Sequence, residues 1–187
     1  MATTDTGPAT AATVDDLYQV RGKAELVGGR LQLMEPAGDS HGAASLAIAS
    51  SLRAHARRTG AGVAYADNVG FLVDLPHRHS FSPDAAFHTG PRTGHDFLQG
   101  APAFAVEIRS KGDYGRTPER ELRDKRADYF AAGTLVVWDV DLASAAVIRV
   151  YRDNNPDTPA AIYQRGETAE AEPAVPTWRF PVDDLFD

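Results

Sequence analysis

The chain contains no cysteine. Disulfides, thiolate metal sites and cysteine nucleophiles are therefore excluded. No apolar run approaches the ~20 residues of a membrane span, so no membrane partner is expected. The opening residues, Met1 to Thr6, lack a basic region followed by an apolar core. No secretory signal is read there, and a cytoplasmic protein is the expectation. No phosphate-cradling glycine loop occurs, which disfavours a nucleotide-driven enzyme. Basic residues are outnumbered, 19 Lys and Arg against 26 Asp and Glu, for a net charge of −7. That balance argues against a broad, sequence-independent nucleic-acid binder, which should be basic. It leaves open an enzyme whose acids bind metal.

What is present suits one globular domain. The 187 residues are 43% hydrophobic, enough for a sizeable core. Residues 1–13 are Thr, Ala, Gly and Pro without periodicity, and a disordered N-terminal tail is expected there, followed by a single domain over 14–187. Val14 to Tyr18 reads as a short helix. Two short apolar runs flank Gly28-Gly29, the signature of a tight hairpin. From His41 to Thr59, Ala44, Ile48, Leu52 and Ala56 recur at helical spacing, with Ser40 as expected N-cap. Val63 to Val73 supplies strand with a bend near Asn68. Phe81 to Phe87 and Ala103 to Arg109 read as strands. Thr117 is the expected cap of a second long helix, with Pro118 at its first position and Gly133 beyond its end. Thr134 to Val140 reads as a buried strand, with Ala145 to Tyr151 as hairpin partner. Residues 152–176 read as loop with a short strand near Ala161 to Gln164, and Trp178 to Phe186 as a docking tail. The order predicts a mixed α/β (α+β) domain.

Three charged residues interrupt this apolar framework: Asp84, Glu107 and Lys125. Such groups are almost never buried without partners. Side chains alternate across a strand, so Ala103, Ala105, Glu107 and Arg109 share one face, while Phe104, Val106 and Ile108 share the other. Ser82, Asp84 and Ala86 likewise share a face. Both strands thus present a carboxylate among small residues. Leu122, Lys125, Arg126 and Tyr129 form one helix face, which puts a lysine beside apolar surface, where it needs a carboxylate or a phosphate. Two carboxylates on neighbouring strands and a lysine on the next helix form a cradle for a divalent cation and a phosphodiester.

The residues Pro83-Asp84, Val106-Glu107-Ile108-Arg109-Ser110, Lys125 with Tyr129, Ala132-Gly133 and Trp138-Asp139-Val140 resemble the PD-(D/E)xK nuclease superfamily, and within it the Uma-type family of restriction endonucleases. Glu25 to Arg30 and His41 are also similar. The resemblance covers roughly residues 17 to 151. It implies a restriction-endonuclease-like mixed β-sheet flanked by helices. It implies Mg²⁺ or Mn²⁺ held by Asp84, Glu107 and the Ile108 carbonyl, a hard-cation oxygen set. The expected activity is a Mg²⁺-dependent endonuclease acting on DNA, in which a metal-activated water attacks the phosphodiester. Lys125 would orient water or steady charge, and Arg109 would assist at phosphate. Glu25 and His41 would support the site. A homodimer would suit cutting two strands. One departure is plain: Arg109 stands where the superfamily pattern has lysine, and arginine cannot serve as a base.

Each residue also has a plainer reading. Pro83-Asp84 is a common turn signal. For Glu107 the plainer reading is a structural ion pair with Arg109 or Lys125, and for Lys125 it is snorkelling from a half-buried face; for both, the site role is the favoured reading. Glu25 as an exposed strand residue and His41 as a capping-region residue stay open. Arg53, Arg57 and Arg58, and then Arg116, Arg120, Arg123 and Arg126, read either as solvated helix faces or as phosphate contacts; Arg116 and Arg123 are the substrate-binding candidates. His77, His79 and His88 lie in loops without three or four convergent ligands, so zinc is not expected. The alternative function is a catalytically inactive nuclease fold used as a binding or assembly module.

Overall fold

A computed structural model describes residues 11–153 and 155–186. Most of the expected disordered tail lies outside these residues. Its last three residues are ordered: the Ala12 amide donates to the Gly29 carbonyl, and Thr13 caps the first helix through a capping box with Asp16. In chain order the elements are α1 (Val14–Tyr18), β1 (Ala24–Val27), β2 (Arg30–Leu33), α2 (Asp39–Thr59), β3 (Val63–Ala66), β4 (Phe71–Leu72), β5 (Ser80–Phe81), β6 (Ala85–His88), β7 (Leu98–Gln99) and β8 (Phe104–Ile108). Then follow α3 (Arg116–Ala131), β9 (Val136–Val140), β10 (Ile148–Arg152), β11 (Ala161–Tyr163), β12 (Thr168–Glu170), β13 (Arg179–Pro181) and a closing 3₁₀ turn over Val182–Leu185. Among the described residues no helix is long and apolar enough to cross a membrane.

A six-stranded sheet in the order β11-β10-β9-β8-β6-β3 organises the molecule. Within this sheet only the neighbours β8 and β9 run parallel, pairing Glu107 with Asp139 and Ile108 with Val140. Parallel neighbours need a crossover, and α3 supplies it. The alternation of β8 divides the core. Phe104, Val106 and Ile108 join Ile48 and Leu52 of α2 with Trp138, Trp178 and Phe180. Ala105 joins Ala86, Val137, Phe71, Phe81 and Tyr129 of α3 on the other face. The fold is a mixed sheet flanked by helices.

Local chemistry explains where expected boundaries moved. Helix α2 starts at Asp39 with Gly38 as N-cap rather than at Ser40, and its first-turn acid suits the positive helix end. Helix α3 begins at Arg116 behind Gly115, so Pro118 stands third in the helix. That position is tolerated because first-turn amides have no partner inside the helix. The expected strand over 81–87 is broken into β5 and β6 at Ser82-Pro83-Asp84. Pro83 has no amide to give the ladder. The Asp84 carboxylate then accepts the Ile108 amide at 2.7 Å, while the Asp84 amide reaches the Val106 carbonyl at 2.9 Å. The short strand β12, at Thr168–Glu170, lay within the expected 152–176 loop and pairs with β13 of the tail. Gly28 and Gly29 have φ of 57° and 67°, the left-handed pair a tight hairpin requires.

Candidate active site

Glu107 occupies the second-last position of β8, opposite the phenylalanine side of the strand. Its two oxygens meet α3 one turn apart: Lys125 Nζ is 2.9 Å from Oε2, and the Tyr129 hydroxyl donates to Oε1 at 2.6 Å. The (i, i+4) spacing on α3 makes that double contact possible. Lys125 also reaches Glu25 Oε1 on β1 at 2.9 Å. Glu25 is buried and accepts the Ser82 amide at 2.8 Å and Arg78 Nη1 at 2.6 Å. Arg78, buried too, donates through Nε to Asp128 Oδ2 at 2.7 Å, and Asp128 meets His77 at 2.8 Å. A run of alternating charge thus crosses from α3 to the loop before β5.

Asp84 is held from four directions. Its carbonyl accepts the Ser45 hydroxyl of α2 at 2.6 Å. Its Oδ2 accepts the Ile108 amide and lies 3.2 Å from His41 Nε2, one turn before Ser45 on α2. Its Oδ1 lies 2.5 Å from Lys23 Nζ, which also meets Asp67 Oδ1 at 2.6 Å. Lys23, His41, Asp84, Glu107, Ile108 and Lys125 all line one broad open groove of about 1550 Å³.

The electrostatics follow from these contacts. Burial pushes the Asp84 carboxyl up, but the His41 hydrogen bond and the Lys23 charge outweigh it and hold the group well below the usual carboxylate range. Glu107 moves the other way: burial raises it, Lys125 opposes, and the charges of Asp84 and Glu25 add to the rise. Burial also lifts Glu25, yet Lys125 and Arg78 pull it below its ordinary value. Burial disfavours the Lys125 ammonium, but Glu107 and Glu25 overcome this and leave Lys125 firmly protonated. His41 is raised by its hydrogen bond to Asp84.

A family model described as "Putative restriction endonuclease", Uma2, matches residues 13–183. The chain belongs to the Uma2 family. Among solved structures it is similar to a crystal structure titled "a putative nuclease belonging to DUF820" from Anabaena variabilis ATCC 29413. That match has a TM-score of 0.71 and 16% identity, covering 93% of this chain and 97% of the other. At that identity the likeness speaks for the fold. No curated protein matches the chain.

In this Uma2 chain, Asp84, Glu107, Ile108, Lys125, Glu25 and His41 come together around the groove floor. Arg109 lines the same groove, but its guanidinium is committed to carboxylates. It grips Asp139 with Nε and Nη2, both at 2.7 Å, and also bonds Glu119 of α3. Arg116 is exposed, and Arg123 pairs at the surface with Asp124 at 2.9 Å; neither lines the groove. Among the described residues no group of three or more His, Asp or Glu side chains is arranged to hold a metal ion. The sequence reading did not single out Lys23, Asp67, Arg78 or Asp128. A buried arginine between two histidines left no periodic signal. Gly38-Asp39-Ser40-His41-Gly42 has the spelling of a hydrolase nucleophile elbow. Here it follows a loop and opens α2 with Ser40 exposed, so it lacks the strand-turn-helix setting of that motif.

Proposed function

We propose that this chain is a Mg²⁺- or Mn²⁺-dependent endonuclease that hydrolyses DNA phosphodiester bonds. The observation that carries the reading is the meeting of Asp84, Glu107 and Lys125 on one groove floor. The donor set fits a hard cation. Glu107 is raised in part by the negative charge of Asp84, so the two carboxylates already feel each other and a cation between them relieves the strain. Mg²⁺ takes one or two carboxylates and fills its remaining positions with water and phosphate oxygens, which agrees with a pair rather than a cage of acids. Asp84 and Glu107 would hold the ion, with the Ile108 carbonyl beside them. When bound, the ion acidifies a water and offsets charge on the phosphate.

The protein's own groups divide the remaining work. Lys125 stays protonated and is a charge stabiliser and water-orienting donor, not a base. Tyr129 holds the Glu107 carboxylate in place. Glu25 pairs with Lys125, and Arg78 in turn holds Glu25. One observation favours the second reading, a catalytically inactive binding fold: Arg109, at the superfamily lysine position, is committed to Asp139 and Glu119. The family description and the nuclease-like fold favour the first.

The test is supercoiled plasmid cleavage with Mg²⁺ or Mn²⁺, with Glu107→Ala and Lys125→Ala beside the wild type. Nicking or linearisation by the wild type alone is expected, with each variant down by at least about a hundredfold, the usual scale for lost charge stabilisation. No cleavage of supercoiled, linear or single-stranded DNA or of RNA with either metal transfers the assignment to the inactive fold.

A further inference from the structure

Lys23 has no part in the reading above, yet it touches the proposed metal ligand more closely than any other side chain. It stands just before β1, and its Nζ lies 2.5 Å from Asp84 Oδ1 and 2.6 Å from Asp67 Oδ1. Asp84 Oδ2 is engaged by the Ile108 amide and by His41. Oδ1 is therefore the oxygen left to ligate an ion, and Lys23 sits on it. An ammonium at 2.5 Å and a divalent cation at about 2.1 Å cannot share one carboxylate oxygen without close repulsion between the cations. Lys23 has an exit. Asp67 follows β3, its side chain is 37% exposed against 6% for Asp84, and the lysine already bonds it. A lysine stem has four rotatable carbons, so the ammonium can leave Asp84 while keeping Asp67, with no movement of backbone.

We propose that Lys23 is a tethered cation that competes with the divalent ion for Asp84 and retires onto Asp67 when the ion binds. The inference rests on the metal site of the proposed function. It assigns Lys23 a positioning role that sets ion affinity, with no contact to the reacting atoms required. It also separates the two lysines: Lys125 serves Glu107 and Glu25, whereas Lys23 serves Asp84 and Asp67.

The test is Mn²⁺ binding, measured by calorimetry or paramagnetic resonance on the whole chain without nucleic acid. Lys23→Met should bind Mn²⁺ at least about tenfold more tightly, because it leaves Asp84 uncompensated. Lys23→Arg, which keeps the charge, should stay near wild type. Asp67→Asn should bind more weakly, since the displaced ammonium loses its acceptor. If Asp84→Asn loses Mn²⁺ while Lys23→Met is unchanged or weaker, the competition is overturned and the metal site stands. If Asp84→Asn binds like wild type, the metal site and the competition fall together. Should Lys23→Met fold poorly, the more exposed Asp67→Asn decides alone, and unchanged or tighter binding there overturns the proposal.

Discussion

Arg78 joins Glu25 to Asp128 from a buried position and lies over the Phe81 ring at 4.9 Å. Its removal strands two carboxylates, one of them the partner of Lys125. Breaking a buried pair from one side costs about 3–5 kcal/mol. Arg78→Ala should lose stability on that scale in chemical denaturation, and a change under 1 kcal/mol would show that water already screens the network. His77 meets the same Asp128 from a side chain that is 60% exposed, and His77→Ala should shift the unfolding midpoint little. At this scale the reading of Glu107 and Lys125 as residues needing partners was legible, because a charge inside an apolar period is conspicuous. Lys23 was not, since it precedes a strand with nothing around it to mark it as out of place.

Between elements, the C-terminal tail is tied to both the sheet and α2. Trp178 packs on Trp138 of β9 with ring centroids 5.1 Å apart and donates its indole N–H to Ser51 of α2 at 3.1 Å. Phe180 and Leu185 extend the same core. Trp178→Ala should cost about 3–5 kcal/mol, as for other large core truncations. Trp178→Phe, which keeps most of the packing, should cost clearly less. Equal losses would place the effect in the indole hydrogen bond instead. The position of α3 has a similar origin. As the crossover between parallel strands it must lie over β8 and β9, and that carries Lys125 and Tyr129 to Glu107. Alternation and helix spacing foretold these faces, while the break at Ser82-Pro83-Asp84 came from a side chain replacing a backbone ladder contact.

Across the molecule, the buried charges set a pH window. Asp84 and Glu25 have lowered folded-state values, so the unfolded chain binds more protons and their stabilisation fades as pH falls below about 4. Glu107 is raised and has the opposite sign: its protonation favours the folded state, which blunts part of the acid loss. His41 is raised, so its contribution is full below about 6.5 and fades at higher pH. Thermal unfolding across pH should therefore show greatest stability between these limits. Asp84→Asn should flatten the acid side, and a variant profile parallel to wild type there would remove Asp84 as its source.

The sequence by itself determined the hairpin at Gly28-Gly29, the two long helices, the division of β8 into an apolar and a polar face, and the three charged residues at odds with their surroundings. These are local properties, set by backbone freedom at glycine and by periods of 2 and 3.6 residues. Only the tertiary structure decided which charges answer one another. Lys23 finds Asp84 across 61 positions, and Arg78 finds Glu25 across 53. Those pairings depend on the strand order and on loops brought together above the sheet, where burial makes each charge seek a partner and the geometry of the fold selects which one it meets.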